Sequence, residues 1–164
     1  MNIVKTWAMA ILTTAALLPF GCAPIKPSAS IIAERNSVSA SDIAVSVEVP
    51  KRFFNVGEKF TAVVSVRNLT GQPITIPAGS GAPVFVRLWR YTPLGEVEVK
   101  QYPQFDTIVM NDWTLQPDEV RSFPLGLTVE PDWPRGELMR LGGEVNGRPQ
   151  LQPGIMISVN LQET

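Results

Sequence analysis

From Ile43 to the C-terminus, apolar and polar residues alternate along the chain with a period of two. This period is typical of strands that bury one face and leave the other in water. The alternation predicts strands over residues 43–49, 60–67, 84–91, 96–100, 122–129, 137–145 and 155–161, with shorter candidates over 73–77 and 106–110. Seven to nine short strands separated by Pro- and Gly-bearing turns predict an all-β fold, a β-sandwich over residues 43–164, with a closed barrel as the alternative.

The clearest turn lies between the strands predicted at 84–91 and 96–100. Thr92-Pro93-Leu94-Gly95 places Pro at the second position and Gly at the fourth, which is the preference of a type I turn. These two strands are therefore predicted to form a hairpin. Cross-strand ion pairs are expected within it, between Arg87 and Arg90 on one arm and Glu96 and Glu98 on the other.

Two side chains in the predicted strands indicate where those strands lie. Pro124 has no N–H to donate, so its strand is predicted to be an edge strand or to carry a bulge. Trp89 lies in an apolar strand, and we expect it to be a core residue between the two sheets, as in immunoglobulin domains.

The first 22 residues have the three parts of a bacterial export signal. Met1–Thr6 carries one positive charge, at Lys5, and residues 7–20 are uncharged and mostly apolar. Gly21 then precedes Cys22. The apolar run is too short for a membrane span, which needs about 20 residues. Residues 1–21 are therefore predicted to be a cleaved signal peptide.

The segment Leu17-Leu18-Pro19-Phe20-Gly21-Cys22 resembles the lipobox of bacterial lipoproteins. Its last two residues fit the pattern, whereas Pro19 and Phe20 stand where Leu and a small residue are usual. The resemblance implies a diacylglyceryl thioether on Cys22 and, in many bacteria, a further acyl chain such as palmitate on its amino group, which together give stable anchoring. In lipoproteins of this kind an Asp directly after the cysteine signals retention in the inner membrane. This chain has Ala23 at that position, and Ala23 favours the periplasmic face of the outer membrane. The alternative is an ordinary cleaved signal, with Cys22 discarded or left as a free thiol.

Residues 22–42 are predicted to be the lipidated cysteine and a flexible tether. This stretch is rich in Ser, Ala and Pro and lacks the alternation found further along the chain. About twenty such residues have an end-to-end distance of roughly 25 Å, which would hold a domain clear of the lipid headgroups.

Several short motifs are typical of bacterial immunoglobulin-like modules. Val56-Gly57-Glu58 and Val64–Thr70 resemble their opening "GE…V.V.N.T" pattern, and Pro134–Leu138 resembles the "P.G.Y" start of a late strand. Leu115–Glu119 resembles their "L.PGE" turn, with Asp118 where Gly is usual. The chain is thus similar to the family that includes the BsuPI-like intracellular proteinase inhibitor of bacilli. The resemblance implies an immunoglobulin-like β-sandwich and assigns no site.

Composition excludes several kinds of chemistry. The chain has no histidine and one cysteine. Histidine-based catalysis, histidine-ligated zinc and an intrachain disulfide are therefore excluded. Opposite charges nearly cancel, with 14 Lys and Arg against 15 Asp and Glu, which gives nucleic-acid binding no electrostatic support. No catalytic motif stands out, so we expect a protein that is not an enzyme and needs no cofactor.

One segment is rich in the oxygen ligands that calcium prefers: Asp106, Asn111, Asp112 and Asp118. Their spacing follows no calcium loop, and Asp and Asn are also common turn residues. We therefore predict no metal site.

The remaining candidate site residues are aromatic. Trp113 and Trp133 are predicted to lie in loops beside charged residues, where they either close the ends of the core or contact a partner. Tyr91 and Tyr102 are further candidates for contact with a protein or a sugar ring.

Three functions remain open. The first is a non-catalytic lipoprotein of the cell envelope, anchored to the membrane through Cys22, whose sandwich binds an envelope protein. The second is a carbohydrate-binding module that uses Trp113, Trp133, Tyr91 or Tyr102. The third is a protease inhibitor, implied by the family resemblance alone, with Ala78–Pro83 or Tyr102–Asp106 as the inhibitory loop.

Overall fold

A computed structural model describes residues 33–77, 82–103 and 112–161 of the chain. Within these ranges the fold is all-β, as predicted, and has eleven strands. No part of the described chain forms an apolar helix of membrane-spanning length. In chain order the strands are β1 (Glu34–Ser39), β2 (Ile43–Val49), β3 (Phe53–Phe54), β4 (Lys59–Asn68), β5 (Ile74–Ile76), β6 (Val84–Thr92), β7 (Gly95–Tyr102), β8 (Trp113–Leu115), β9 (Val120–Thr128), β10 (Leu138–Val145) and β11 (Gly154–Val159).

The strands form two sheets and a two-stranded ribbon. The four-stranded sheet has the order β1-β2-β4-β9, the five-stranded sheet has the order β3-β11-β10-β6-β7, and the ribbon pairs β5 with β8. Neighbouring strands are antiparallel except for β3 and β11, which run parallel. The prediction of a β-sandwich is confirmed.

Because apolar and polar residues alternate, one side of each long strand faces a shared core. On the inner faces lie the apolar residues of β2, β4, β6, β10 and β11, among them Val45, Val47, Val64, Val66, Leu88, Leu141 and Ile157. The sheets approach closely at Gly143, where a Cβ atom would lie 3.0 Å from a Val64 methyl group. Burial of these side chains is the main stabilising contribution to the fold.

The hairpin and the edge strand are where the sequence predicts them. β6 and β7 pair up to Thr92 and Gly95, so the loop between them is Pro93-Leu94. The Thr92 hydroxyl donates to the Gly95 carbonyl at 2.8 Å and closes the turn. β9, which contains Pro124, is an edge strand of the four-stranded sheet, where a missing N–H does not interrupt a second ladder.

The first sheet begins earlier than the predicted domain boundary at residue 43. Residues 34–39, predicted to belong to the tether, form β1 and pair with β2 from Glu34–Val49 to Ser39–Ala44. Nearly all of β1 is exposed, so backbone pairing, not an apolar face, defines it. The hydrophobic pattern therefore gives no sign of this strand. Residues 1–32, which include the predicted signal peptide, Cys22 and Ala23, lie outside the described residues.

Asn68, at the end of β4, is fully buried and has a complete set of partners. Its amide nitrogen lies 2.8–3.1 Å from the carbonyl oxygens of Gln72, Leu115 and Gln116. Its amide oxygen accepts from both the backbone N–H and the hydroxyl of Thr70, at 2.8 and 2.9 Å. Asn68 therefore joins β4, the following loop and the end of β8, which explains the Asn and Thr of the immunoglobulin-like motif.

The turn after β8 explains why Asp118 can stand where the "L.PGE" motif usually has Gly. Asp118 has φ 60°, a left-handed conformation in which glycine is usual. The Glu119 N–H donates to the Gln116 carbonyl at 3.0 Å, and the Asp118 carboxylate pairs with Arg67 at 3.0 Å across exposed surface. Asp is among the few residues that tolerate this conformation.

We expect Asp118→Gly to be more stable than Asp118→Ala by about 1 kcal/mol, because alanine pays the steric penalty of a left-handed residue and glycine does not. Both variants lose the same exposed ion pair, so the comparison isolates the backbone. Urea denaturation of the two variants measures the difference, and equal midpoints would contradict the backbone explanation.

Candidate functional site

The outer face of the five-stranded sheet carries the largest group of ordered charged and aromatic side chains. In β6, Val84, Val86 and Leu88 point inward, so the residues between them point outward. β10 alternates in the same way, with Met139 and Leu141 inside. The outward-pointing residues are Phe85, Arg87, Trp89, Tyr91, Arg140, Gly142 and Glu144.

Trp89 lies on this outer face, and the prediction that it sits between the sheets is wrong. Its neighbour Leu88 pairs with the core residue Leu141, so Trp89 must project to the opposite side. The indole is nevertheless buried, because the Arg140 guanidinium lies 3.9 Å from its ring centroid. Trp89 is thus covered by a cation instead of by the other sheet.

Arg140 is held in one orientation by a carboxylate and two glycines. Its Nε and Nη2 donate to the two Glu96 oxygens at 2.8 and 2.6 Å, the bidentate geometry that favours arginine. A Cβ at Gly142 would lie 2.7 Å from the Trp89 ring, and one at Gly154 would lie 2.7 Å from Arg140 Cγ. Both positions therefore require glycine if the stack is to form. The Arg140 guanidinium lowers the pKa of Glu96.

A second ion pair network lies beside the first. Arg87 contacts Glu98 at 3.0 Å and the buried carboxylate of Glu144 at 3.1 Å. Gln152 donates to Glu144 at 2.8 Å. The predicted pairing of Arg87 with Glu98 is confirmed, whereas Glu96 pairs with Arg140 of β10 and not with Arg90. The register explains this, since Arg90 lies opposite Val97, and residues next to each other in a strand, such as Val97 and Glu96, point to opposite faces of the sheet.

Tyr91 is the predicted site residue that the structure places on this face. It is 50% exposed, and its hydroxyl lies 3.7 Å from the sulfur of Met156 on β11. Partial desolvation, aided by the Glu96 carboxylate, raises the pKa of the phenol. The phenol is therefore a neutral donor at physiological pH. We call Arg87, Trp89, Tyr91, Glu96 and Arg140 the arginine–aromatic cluster.

Trp133 and Tyr102 lie inside the sandwich. Trp133 is 1% exposed, with its ring centroid 6.4 Å from that of Phe60 and 6.3 Å from that of Tyr102. Burial raises the pKa of Tyr102 to about 12, and its hydroxyl donates to Glu130 at 3.1 Å. In this arrangement the two rings close the core and present no face to a partner or a sugar.

Trp113 lies apart from the other three candidates. It begins β8 instead of lying in a loop, and its partly buried ring packs edge-on against Phe123 at 5.4 Å between centroids. Arg121 lies over it, also at 5.4 Å. The four predicted aromatic residues therefore do not form one surface.

The possible calcium ligands and the two possible inhibitory loops lie partly outside the described residues. Asp112 and Asp118 lie in the described chain, whereas Asp106 and Asn111 lie outside it. Within the described ranges no three Asp, Glu, His or Cys residues come together as metal ligands. Most of the two loops considered for protease inhibition, residues 78–81 and 104–106, also falls outside the described residues.

Sequence reasoning missed Arg140, Gly142, Gly154 and Met156. A signal was present, because Met139, Leu141 and Gly143 alternate with Arg140, Gly142 and Glu144 over the strand predicted at 137–145. Which of the two sets faces the core depends on register with β6, which no single-strand pattern specifies.

No family model matches the chain, and no curated protein matches it in sequence. Among solved structures it is similar to the sporulation control protein Spo0M of Bacillus subtilis, with 17% identity and a TM-score of 0.54 over 75% of this chain and 51% of that chain. It therefore spans about half the length of Spo0M. Weaker similarity links it to a β-glucosidase from Listeria innocua, with 13% identity and a TM-score of 0.45 over 77% of this chain and 17% of that chain. A CARDB domain from Pyrococcus furiosus gives 17% identity and a TM-score of 0.43, over 72% and 87%. The likeness to Spo0M is one of fold alone, and the chain is an all-β sandwich.

Proposed function

We propose that the protein is a non-catalytic lipoprotein of the bacterial cell envelope. Cys22 carries the lipid anchor, and the sandwich binds an envelope protein through the arginine–aromatic cluster. The observation that carries this proposal is the Arg140 guanidinium, which is fixed on Trp89 by Glu96 beside the exposed Tyr91.

The chemistry of the cluster favours protein recognition. Arg, Trp, Tyr and Met are the residues most enriched where proteins contact each other, and here they lie on adjacent strands of one sheet. Their orientation is fixed before any partner binds, so little side-chain entropy is lost on association. Small-molecule and cofactor sites are usually concave pockets, whereas these side chains are spread over the outer face of a sheet.

The electrostatics of three glutamates do not suit the role of a general acid. Glu58, Glu96 and Glu119 have lowered pKa values, because Lys51, Arg140 and the Gln116 N–H, respectively, stabilise their charged forms. A carboxyl group that acts as a general acid needs the opposite shift. Carbohydrate binding has less support than protein binding, because Trp133 and Tyr102 are buried.

The first test of this proposal is the anchor. We expect Cys22→Ser to release the protein from membranes, because the thioether that holds the acyl chains cannot form. The soluble variant should keep the circular dichroism spectrum and unfolding midpoint of the anchored protein, since residue 22 is predicted to belong to the tether. Retention in the membrane fraction of variant protein that has lost residues 1–21 would contradict the lipoprotein assignment.

A second experiment identifies the partner. Cross-linking in intact cells, followed by purification of the tagged protein, identifies what it contacts. We expect Arg140→Ala to reduce recovery of the partner by about tenfold or more, as for other central interface arginines. Arg67→Ala is the matched control, because Arg67 is an exposed, ion-paired arginine of the other sheet. Equal recovery with both variants would remove the cluster as the binding surface.

A further inference from the structure

The four most exposed large apolar side chains among the described residues lie at one end of the sandwich. They are Leu94, Leu161, Phe53 and Leu138, with exposed fractions of 99%, 71%, 62% and 60%. We call the end that they share with Glu34, the first residue of β1, the proximal end. Monomeric proteins rarely concentrate apolar side chains in this way without a surface to contact.

The strand registers place these side chains across the width of the five-stranded sheet. Leu138 pairs with Ser158, which pairs in turn with Phe53 on the edge strand β3. Leu94 is at the tip of the β6–β7 hairpin, at the other edge. Leu161 follows β11, with its side chain close to Gly136, where a Cβ would lie 3.1 Å away. The four residues thus form an apolar rim along one end of the sheet.

The chain from Cys22 reaches the sandwich at this same end. Glu34 pairs with Val49, the last residue of β2, and its carboxylate accepts from Arg52 at 2.7 Å, next to Phe53. Eleven residues separate Cys22 from Glu34. Even fully extended they span at most about 40 Å, and as a flexible chain about 20 Å. An anchor at Cys22 therefore holds the apolar rim nearer to the lipid than any other part of the domain.

Several charges at the proximal end are paired. Lys51 contacts Glu58 at 2.6 Å, and Arg52 contacts Glu34 at 2.7 Å. Lys100 contacts both Glu130 and Asp132, at 2.8 and 3.0 Å. The rim is therefore bordered by charges of both signs that contact each other. Contact made here is hydrophobic and should be insensitive to salt.

We infer that the proximal end rests on the membrane, with the leucines and Phe53 of the rim seated at the boundary between headgroups and acyl chains. This inference rests on the proposed lipid anchor and adds an orientation to it. The strands stand away from the bilayer, and the arginine–aromatic cluster faces sideways, toward a protein in the same membrane. A lipid surface fits the rim because it is planar, apolar beneath its headgroups and held close by the tether.

A single label at the hairpin tip tests the orientation. The chain has one cysteine, and acylation blocks it, so Leu94→Cys provides a unique thiol for an environment-sensitive fluorophore. Leu94 is almost wholly exposed, so the change removes no core packing. Leu69→Cys is the matched control, because Leu69 is an exposed leucine that follows the opposite end of β4. The full acylated protein is incorporated in vesicles of phosphatidylethanolamine and phosphatidylglycerol.

We expect the label at position 94 to shift its emission to the blue and to lose fluorescence when the lipids carry nitroxide groups, at low and high salt alike. The label at position 69 should do neither. The mass of the purified protein first establishes whether Cys22 is acylated. An unacylated mature protein would overturn the anchor and the orientation together.

Two other outcomes would overturn the orientation while the lipoprotein assignment stands. If acylated protein gives the same fluorescence at positions 94 and 69, the rim does not contact lipid. If the label at position 94 shifts to the blue but nitroxide lipids leave its intensity unchanged, protein covers the rim. A dependence of that shift on protein density in the vesicle would then identify a second copy of the chain.

Discussion

Asn68→Ala is expected to lower the free energy of unfolding by about 3–5 kcal/mol, because a single buried side chain makes hydrogen bonds to four backbone groups. Alanine would leave the carbonyls of Gln72, Leu115 and Gln116 without its N–H donors and the Thr70 N–H without its acceptor. Water cannot readily replace the amide, since the side chain is fully buried. A loss of this size is a large part of the stability of an ordinary domain.

Denaturant unfolding of the isolated sandwich measures the effect through the shift in midpoint at constant slope. Asn36→Ala is the control, because the exposed Asn36 amide makes two bonds only, donating to the Gly154 carbonyl and accepting from the Ser37 N–H. We expect that change to cost less than about 1 kcal/mol. A similar loss for both variants would mean that Asn68 is no more than an ordinary surface asparagine.

A second substitution at the same site separates shape from donor capacity. Asn68→Asp keeps the size of the side chain and removes its N–H donors, leaving a carboxyl group among carbonyl oxygens. Those oxygens and the burial would raise the pKa of the new acid above its unfolded value. Its protonated form can donate one bond, so the stability of this variant should fall as the pH rises through that raised pKa.

Trp133→Ala is expected to cost about 3–5 kcal/mol, because it would empty the largest fully buried side-chain position in the sandwich. The indole packs edge-on against Phe60, which is itself stacked on Phe54 with ring centroids 4.1 Å apart. Tyr102 contacts it from β7. Removal of Trp133 therefore leaves a cavity between the two sheets that these rings cannot fill without moving.

Trp133→Phe is the matched control, since it keeps an aromatic ring in the cavity and should recover most of the loss. Near-ultraviolet circular dichroism gives a second readout, because Tyr102 should lose its fixed environment in the Ala variant alone. If Trp133→Ala unfolds at the same denaturant concentration as the unchanged protein, Trp133 does not close the core.

Alternation was a sufficient guide to the long strands, whose inner residues are apolar. It could not identify β1, because an exposed edge strand needs only backbone partners. It also could not assign Trp89, since both sides of β6 carry large side chains and only the pairing of Leu88 with Leu141 decides which side is buried. The arginine–aromatic cluster depends on three strands in register, and register is a property of the sheet.

Motif resemblance supplied what alternation could not. The motif containing Asn68 and Thr70 marks a hydrogen-bonded junction, and Asp118 has the backbone conformation for which the related modules use glycine. The roles of Trp133 and Tyr102 could not be assigned in this way, because loop position does not reveal whether an aromatic ring folds back into the core.

The place of β1 in the sheet has a mechanical consequence. A pull on the chain ahead of Glu34 acts along the axis of β1, whose hydrogen bonds to β2 run perpendicular to that axis. The load is then shared by the whole ladder from Glu34 to Ser39 and must shear it, whereas a pull across the strand would unzip the pairs one by one. An anchor ahead of Glu34, as proposed above, would thus load the sandwich in the direction in which an edge strand best resists force.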